Sequence, residues 1–318
     1  MHAAAINLRG GVSPRNTRLR GQSIIEYVLI IAVIGLVIVF AGPGVAGAIR
    51  NQFNQVTNTV DSGTDGDNFI SAEEKAYREA MKTVASKEAK DWTLDEQKAA
   101  ATDIAKKGTS SVVYAKAKAA MDAGTNWSVK LTNGETIKYR IIGINHDDLA
   151  DGSGKAGLTF EVTNSVLGAQ RMNAANSNAG GWEKSELRGR LNSGDLWALL
   201  PSELQSKVKT VAKETVARDS DEIAYPSDTT DKVFLLSMPE VYGDFDTEGY
   251  PEGYQYEYFQ SKGVATSSYS GASSSHGHWT RSARQGNSSY FYYVNSNGSF
   301  GSDGNVGYPD CVFPVFCF

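Results

Sequence analysis

The sequence has 318 residues, a formal net charge of −5 at neutral pH and two cysteines. The negative charge argues against nucleic acid as a partner, and two cysteines are too few for a disulfide framework. The length leaves room for one or two domains that each bury a hydrophobic core.

The first predicted element is an apolar segment behind a basic leader. Residues 27–49 contain no Asp, Glu, Lys or Arg. As a helix, about 23 residues would reach roughly 34 Å, which matches a hydrocarbon core of about 30 Å. The leader carries Arg9, Arg15, Arg18 and Arg20, so we expect the chain after Ile49 to lie outside the membrane. A secretory signal would have a shorter apolar core, and an ordinary membrane anchor remains the simple alternative.

Gly21-Gln22 closes this leader and Glu26-Tyr27 opens the apolar segment, a spacing that resembles the Flp pilins of the Tad-type (type IVb) class. The resemblance implies that a prepilin peptidase cleaves after Gly21, that Gln22 becomes the N-terminus, and that the protein leaves the membrane to join other pilin subunits. A carboxylate in a bilayer costs roughly 2.5–3.5 kcal/mol. The new amine of a neighbouring Gln22 would compensate the charge of Glu26 during assembly.

Residues 61–74 form an acidic segment that resembles an EF-hand loop. The residues that fall at its ligand positions are Asp65, Asp67, Phe69 through its carbonyl, Ser71 and Glu74. Calcium is therefore the candidate cofactor. Gly63 replaces the usual first Asp and Asn68 replaces the usual Gly, so a loop that caps the next helix through Ser71 and Glu74 is the alternative.

Three helices are predicted between residues 71 and 123, and they are interpreted as a small stalk. Tyr77, Met81 and Val84 lie on one face of the first helix. Thr93 and Glu96 form a capping box before the second helix, which is expected to end near Gly108. We interpret the apolar faces as packing surfaces.

From Trp127 onward, alternating and β-branched residues predict strands. Asn133-Gly134 predicts a hairpin with a type I′ turn, and Asn297-Gly298 predicts another turn. Two helices are predicted between residues 180 and 211, and a strand is predicted at residues 231–243. Residues 278–318 are predicted to form strands and hairpins.

The stretches GGWEKSELRGRLN, HWTRSA and CVFPVFCF resemble a family of uncharacterised bacterial surface domains, and the similarity extends from about Trp127 to Phe318. Their layout resembles the C-type lectin fold in its formylglycine-generating-enzyme branch. The implied fold class is α+β, with a long N-terminal hydrophobic pilin-type helix, a small helical stalk and a C-terminal C-type-lectin-like α+β domain. The predicted boundaries are 1–21 for the leader, 22–60 for the helix, 61–125 for the stalk and 126–318 for the C-terminal domain.

The sequence lacks the motifs of two activities that the resemblance raises, calcium-bridged sugar binding and formylglycine generation. It has no Glu-Pro-Asn, Gln-Pro-Asp or Trp-Asn-Asp stretch for a calcium-bridged sugar. Cys311 and Cys317 on one extended strand would lie about 20 Å apart, too far for a disulfide or a two-thiolate copper site. We therefore interpret them as buried free cysteines and the chain as a non-enzyme, with a formylglycine-generating-enzyme-like oxidase as the alternative.

Two histidine-containing segments are weak metal candidates. The acidic loop of His146, Asp147, Asp148 and Asp151 is interpreted as a turn with solvated carboxylates. His276 and His278 would point the same way from a strand, but the sequence offers no third ligand beside them. The candidate metal residues therefore stay those of the EF-hand-like segment.

Residues 286–308 consist mostly of Gly, Asn, Ser, Tyr and Asp, the composition of antibody binding loops. The candidate ligand-binding residues are Trp279, Arg284, Tyr290, Tyr292, Asn295, Asn305 and Tyr308. A solvated hairpin is the alternative.

The predicted function is a minor pilin or pilus-associated adhesin that binds a surface glycan or protein. It would be made in the inner membrane with its C-terminal domain outside and would end on the cell surface or in a pilus. A membrane-anchored surface binding protein that does not assemble is the alternative function.

Overall fold

Three helices begin the described part of the chain, which in this computed structural model comprises residues 72–219, 221–247 and 249–318. They are α1 (Ala72–Ser86), α2 (Leu94–Lys107) and α3 (Tyr114–Ala123). The Thr93 hydroxyl accepts from the Glu96 N–H, and the Glu96 carboxylate accepts from the Thr93 N–H. This is the predicted capping box, and all three predicted helices are confirmed.

Six shorter helices and the strands follow. The helices are α4 (Gly181–Lys184), α5 (Glu186–Asn192), α6 (Asp195–Leu199), α7 (Ser202–Gln205), α8 (Met238–Val241) and α9 (Glu257–Ser261). The strands are β1 (Asn126–Lys130), β2 (Thr136–Ile144), β3 (Leu158–Val162), β4 (Ala169–Gln170), β5 (Val211–Lys213), β6 (Val216–Arg218), β7 (Ala224–Pro226), β8 (Thr229–Asp231), β9 (Val233–Phe234), β10 (His278–Ala283), β11 (Tyr290–Val294), β12 (Phe300–Asn305), β13 (Asp310–Cys311) and β14 (Val315–Cys317).

Two five-stranded sheets form the body of the domain. Sheet A has the order β1-β2-β3-β14-β9, and sheet B has the order β12-β11-β10-β13-β4. Two small sheets pair β5 with β8 and β6 with β7. β10 and β13 pair in parallel, whereas the ladders of sheet A are antiparallel.

The core of sheet A follows from the alternation in β2. Ile137, Tyr139 and Ile141 are buried, as predicted. The ring of Tyr139 meets the rings of Phe160 and Phe316 edge-on, with centroids 5.5 Å and 5.4 Å apart. Such aromatic contacts add to the free energy gained by burial.

A close backbone approach holds α2 against sheet A. Gly157 lies next to β3, and a Cβ atom at this position would come within 1.8 Å of the Ala101 carbonyl oxygen in α2. A residue without a side chain is therefore required at position 157. The helix thus packs directly on the sheet.

The predicted fold class is wrong. It joined a long pilin-type helix, a separate helical stalk and a C-type-lectin-like α+β domain. The described residues form instead a mixed α/β structure with several sheets, and no helix among them is long and apolar enough to cross a membrane.

The predicted stalk is not separate, because the apolar faces of its helices are buried against sheet A and not only against one another. Val84, Ile104 and Met121 belong to the same hydrophobic core as Tyr139 in sheet A. Residues 22–60, assigned to the pilin-type helix, lie outside the described residues. The predicted domain boundaries stay predictions.

Local details also differ from the sequence predictions. The hairpin at Asn133-Gly134 forms, but its turn is not type I′. Gly134 has a positive φ of 92°, whereas Asn133 does not, and the Leu131 N–H donates to the Glu135 carbonyl. This pattern is that of a type I turn followed by a left-handed glycine.

The two predicted helices after residue 180 and the predicted strand at 231–243 are also different in the structure. Four short helices, α4 to α7, replace the two predicted ones. The strand is reduced to β9, because Ser237 and Glu240 form a capping box that begins α8.

Candidate functional site

Three loops meet at one end of sheet B and form what we call the loop face: residues 171–180, 284–289 and 306–309. The last two of these loops meet because Tyr290 at the start of β11 pairs with Asn305 at the end of β12. The loops before and after this hairpin therefore lie side by side. The Val306 N–H donates to the Ser289 carbonyl, at 2.9 Å.

Asn178 holds the first two loops together. Its side chain is 1% exposed, and its Nδ2 donates to the carbonyls of Asn287, at 2.7 Å, and Tyr290, at 2.8 Å. Its backbone N–H donates to the Ser288 carbonyl, at 2.7 Å. A buried amide with its donors satisfied fixes the relative position of the segments it joins.

The exposed groups of the loop face are aromatic, amide and guanidinium groups. Tyr308 is 73% exposed. The Arg284 guanidinium lies 5.4 Å from the centroid of the Tyr290 ring. Arg171 and Asn176 are exposed beside them. The tyrosine rings can stack on a ligand with little loss of conformational entropy, and the amide and guanidinium groups can form hydrogen bonds to it.

The structure brings together four of the seven predicted ligand-binding residues. Arg284, Tyr290, Asn305 and Tyr308 lie at the loop face: the Arg284 N–H donates to the Tyr290 carbonyl, and the Tyr308 N–H donates to the Asn305 carbonyl. The position of these residues makes a shared contact surface possible. Their role in ligand binding stays a prediction.

The other three predicted ligand-binding residues lie away from the loop face. Trp279 is buried under Gly304, and its indole N–H donates to the Gln170 carbonyl at 2.7 Å. Tyr292 packs against Phe245, with ring centroids 5.0 Å apart. Asn295 lies beyond the opposite end of β11, about 17 Å from Tyr290 along an extended strand.

Sequence reasoning missed Asn176 and Asn178. The signal was present, since residues 173–181 read NAANSNAGG and share the composition of the segment that was chosen. Their nearness to residues 284–290 could not be read from the sequence, because more than a hundred residues separate the two loops.

A buried charge cluster of Asp147, Lys213, Glu240 and Arg281 lies between the two large sheets. The Lys213 Nζ is 2.6 Å from Asp147 Oδ1 and 2.6 Å from Glu240 Oε1. Arg281 pairs with both oxygens of Glu240. Asp147 follows sheet A and Arg281 lies in sheet B, so the cluster ties the sheets together.

The pKa values of this cluster follow from burial and pairing. Burial raises the pKa of Asp147, but the Lys213 ammonium outweighs it, so that pKa lies well below its usual range. Burial likewise raises the pKa of Glu240, and Arg281 and Lys213 bring it below its usual range. The neighbouring Glu252 has its pKa raised by burial.

The predicted turn with solvated carboxylates is wrong for Asp147, because its carboxylate is buried and paired with Lys213.

We expect the free energy of unfolding to fall as the pH drops below about 4. Asp147 and Glu240 have ordinary pKa values of 3.8 and 4.5 and titrate lower in the fold. The stability that they contribute is present above those ordinary values and is lost as the pH falls through the folded values. Glu252 has the opposite effect on stability. Its pKa is raised in the fold, so the stability that it contributes is present at low pH and is lost as the pH rises through the raised pKa.

Urea denaturation at about pH 6 and about pH 3 measures this dependence. Asp147→Asn removes one of the carboxylates whose pKa is lowered in the fold, so the variant should lose less stability between these conditions. Equal losses in the variant and the natural protein would contradict the prediction.

The metal and thiol predictions have different outcomes. Asp65, Asp67, Phe69 and Ser71 lie outside the described residues, while Glu74 lies on α1, 2.9 Å from Arg78. Calcium stays a prediction. Within the described part of the chain, no three His, Cys, Asp or Glu side chains are grouped to hold a metal ion.

Both cysteines are free, as predicted. Cys317 is buried, but Cys311 is half-buried. They lie on β14 and β13, which belong to different sheets. Burial and the nearby Asp147 carboxylate raise the pKa of the Cys317 thiol, so this thiol stays protonated near neutral pH.

Comparison with known proteins gives one match. The family model described as a domain of unknown function, DUF6273, matches residues 156–318. The matched part contains the loop face, Lys213, Glu240 and Arg281. No curated protein and no solved structure matches the chain.

Proposed function

We propose a function from the premise that the chain belongs to DUF6273, a family described as a domain of unknown function. The protein is a minor subunit of a Tad-type (type IVb) pilus, and it presents the DUF6273 domain at the cell surface as a ligand-binding module. The ligand is a surface glycan or protein. The loop face is its contact surface.

The proposal rests on two features of the loop face. Hydrogen bonds fix the backbone of its loops, and an aromatic side chain is exposed beside them. Asn178 fixes the loops through bonds to Asn287 and Tyr290, and Tyr308 lies open to solvent. A binding surface gains affinity when its backbone is ordered before the ligand arrives. A solvated hairpin would need neither the buried clamp nor an aromatic ring outside it.

The N-terminal sequence supports the assembly part of the proposal. Gly21-Gln22 and Glu26-Tyr27 follow the spacing of the resembling pilins. Cleavage after Gly21 would create an amine at Gln22 that can compensate the carboxylate of Glu26 in the next subunit. A subunit with a large folded domain fits a minor position in a filament.

We expect Tyr308→Ser to weaken ligand binding by about 30-fold or more, because tyrosines are enriched among the residues that dominate binding energy at contact surfaces. The full chain, kept in detergent, is screened on glycan and protein arrays, and the affinity for the best ligand is then measured by biolayer interferometry.

Tyr269→Ser is the matched control. Tyr269 is 36% exposed and lies beside Gly298, at the opposite end of the β11–β12 hairpin. We expect this variant to bind like the natural protein. Equal losses in the two variants, or a folded chain that binds nothing on either array, would refute the loop face as the contact surface.

A further inference from the structure

A polar recess lies at the end of sheet B opposite the loop face, where β10 begins and β11 ends. His278 and Val294 pair there and both line a cavity of about 70 Å³. A single water needs roughly 10–15 Å³ of such space, so several water-sized groups fit. We call it the His278 cleft. Its polar wall includes Arg140, Glu161, Ser274 and His278, and its apolar wall includes Phe259 and Val241.

Glu161 offers the cleft a carboxylate oxygen that lacks a donor. The side chain is 3% exposed, and its Oε2 accepts both bonds from Arg140, from Nε at 3.0 Å and from Nη2 at 2.7 Å. Among the described residues, none donates to Oε1. A carboxylate oxygen has room for further donors, so this oxygen can accept from a ligand hydroxyl in the cleft.

Arg140 does not leave a free positive charge. Its Nη1 donates to the Tyr258 hydroxyl at 2.8 Å, and its guanidinium lies 4.1 Å from the centroid of the Tyr258 ring. With Glu161 it forms a neutral pair. An anionic ligand would meet the Glu161 carboxylate, and a cationic ligand would meet the Arg140 guanidinium.

His278 adds an uncharged polar group. It is 7% exposed, and its ring stacks on Phe313, with centroids 4.5 Å apart. Its Nδ1 has two distant neighbours, the Ser274 hydroxyl and the His276 carbonyl, each at 3.4 Å. Burial lowers the pKa of His278, so the ring is neutral near pH 7 and can both donate and accept.

We propose that the His278 cleft binds the edge of one sugar ring. One ligand hydroxyl donates to Glu161 Oε1 and another bonds to the His278 ring, while the C–H face of the sugar rests on Phe259 and Val241. A neutral ligand with hydroxyls on one side and C–H groups on the other fits both walls of the cleft. This site is separate from the loop face and does not depend on pilus assembly.

Saturation-transfer NMR of the full chain tests the proposal, in a detergent without a sugar headgroup. The probes are the methyl glycosides of glucose, galactose and mannose, with methylammonium and inorganic phosphate as charged comparisons. We expect at least one glycoside to bind and neither charged probe to do so. A folded protein that binds no glycoside, or that binds a charged probe as well as it binds any glycoside, would overturn the proposal.

Two variants assign the binding to this cleft. Ser273 is exposed at the rim, so Ser273→Trp should block entry and weaken glycoside binding by about tenfold or more. Ser206→Trp, at an exposed serine after α7, is its control and should bind normally. Glu161→Gln removes the charge of the accepting carboxylate and should weaken binding similarly, which decides the matter if Ser273→Trp does not fold. Unchanged binding in the folded variants would overturn the assignment.

Discussion

Arg281→Met will lower the free energy of unfolding by about 3–5 kcal/mol, because the buried cluster then holds the carboxylates of Asp147 and Glu240 against the single ammonium of Lys213. Arg281 is fully buried and bonds to both oxygens of Glu240, to the carbonyl of Leu235 at 3.0 Å and to that of Glu252 at 3.0 Å. Methionine fills a similar length but satisfies none of these acceptors. Urea denaturation followed by tryptophan fluorescence measures the loss.

Arg190→Met is the control for this prediction. Arg190 also forms a two-pronged pair, with Asp195, but the pair is largely exposed, so its loss should cost about 1 kcal/mol or less. The double variant Arg281→Met with Glu240→Gln should recover part of the loss, because it removes the excess negative charge and leaves the pair of Asp147 and Lys213. If Arg281→Met and Arg190→Met destabilise equally, the cluster does not tie the sheets together as described.

Predictions that depend on neighbouring residues succeeded most often. The capping box at Thr93 and Glu96 involves residues three apart, and it forms as expected. The hairpin at Asn133-Gly134 also forms at the expected place. Its turn type was missed because Leu131 and Glu135 extend the loop with their own hydrogen bond, a choice that the dipeptide alone does not encode.

Predictions that needed distant contacts failed for an identifiable reason. Asp147 was expected in water, but its partner Lys213 comes 66 residues later and buries it. Apolar runs were equally ambiguous: the strand predicted at residues 231–243 contains the α8 helix, since a short apolar run fits either structure. The separate stalk was wrong because periodicity shows which helix face is buried but not against what.

The candidate site illustrates the same limit. Composition selected the segment around Tyr290, and four of the residues predicted from it lie together at the loop face. Composition could not show that Trp279 faces the interior or that a five-residue strand carries Asn295 away from Tyr290. Asn178 comes from a distant loop, and only the folded structure shows its hydrogen bonds to Asn287 and Tyr290.

We expect Gly21→Ala to block removal of residues 1–21 and to keep the protein out of pili. Glycine has no side chain and permits close approach to its backbone, so we expect a methyl group at the cleavage position to hinder the peptidase. Intact-mass spectrometry measures the retained leader, and a peptide beginning at Gln22 should be found with the natural protein alone. Purified filaments, probed with an antibody against the DUF6273 domain, report assembly.

Gly11→Ala, in the same leader, is the matched control and should be cleaved normally.

Glu26→Gln then separates processing from assembly, because it leaves Gly21 intact but removes the carboxylate that would pair with the amine of a neighbouring Gln22. That variant should lose its leader and still be absent from filaments. If the natural protein keeps residues 1–21, or if Gly21→Ala is cleaved and assembled like it, the chain is an anchored binding protein and not a pilus subunit. If Glu26→Gln enters filaments normally, the chain still assembles, but a force other than this charge pair joins the subunits.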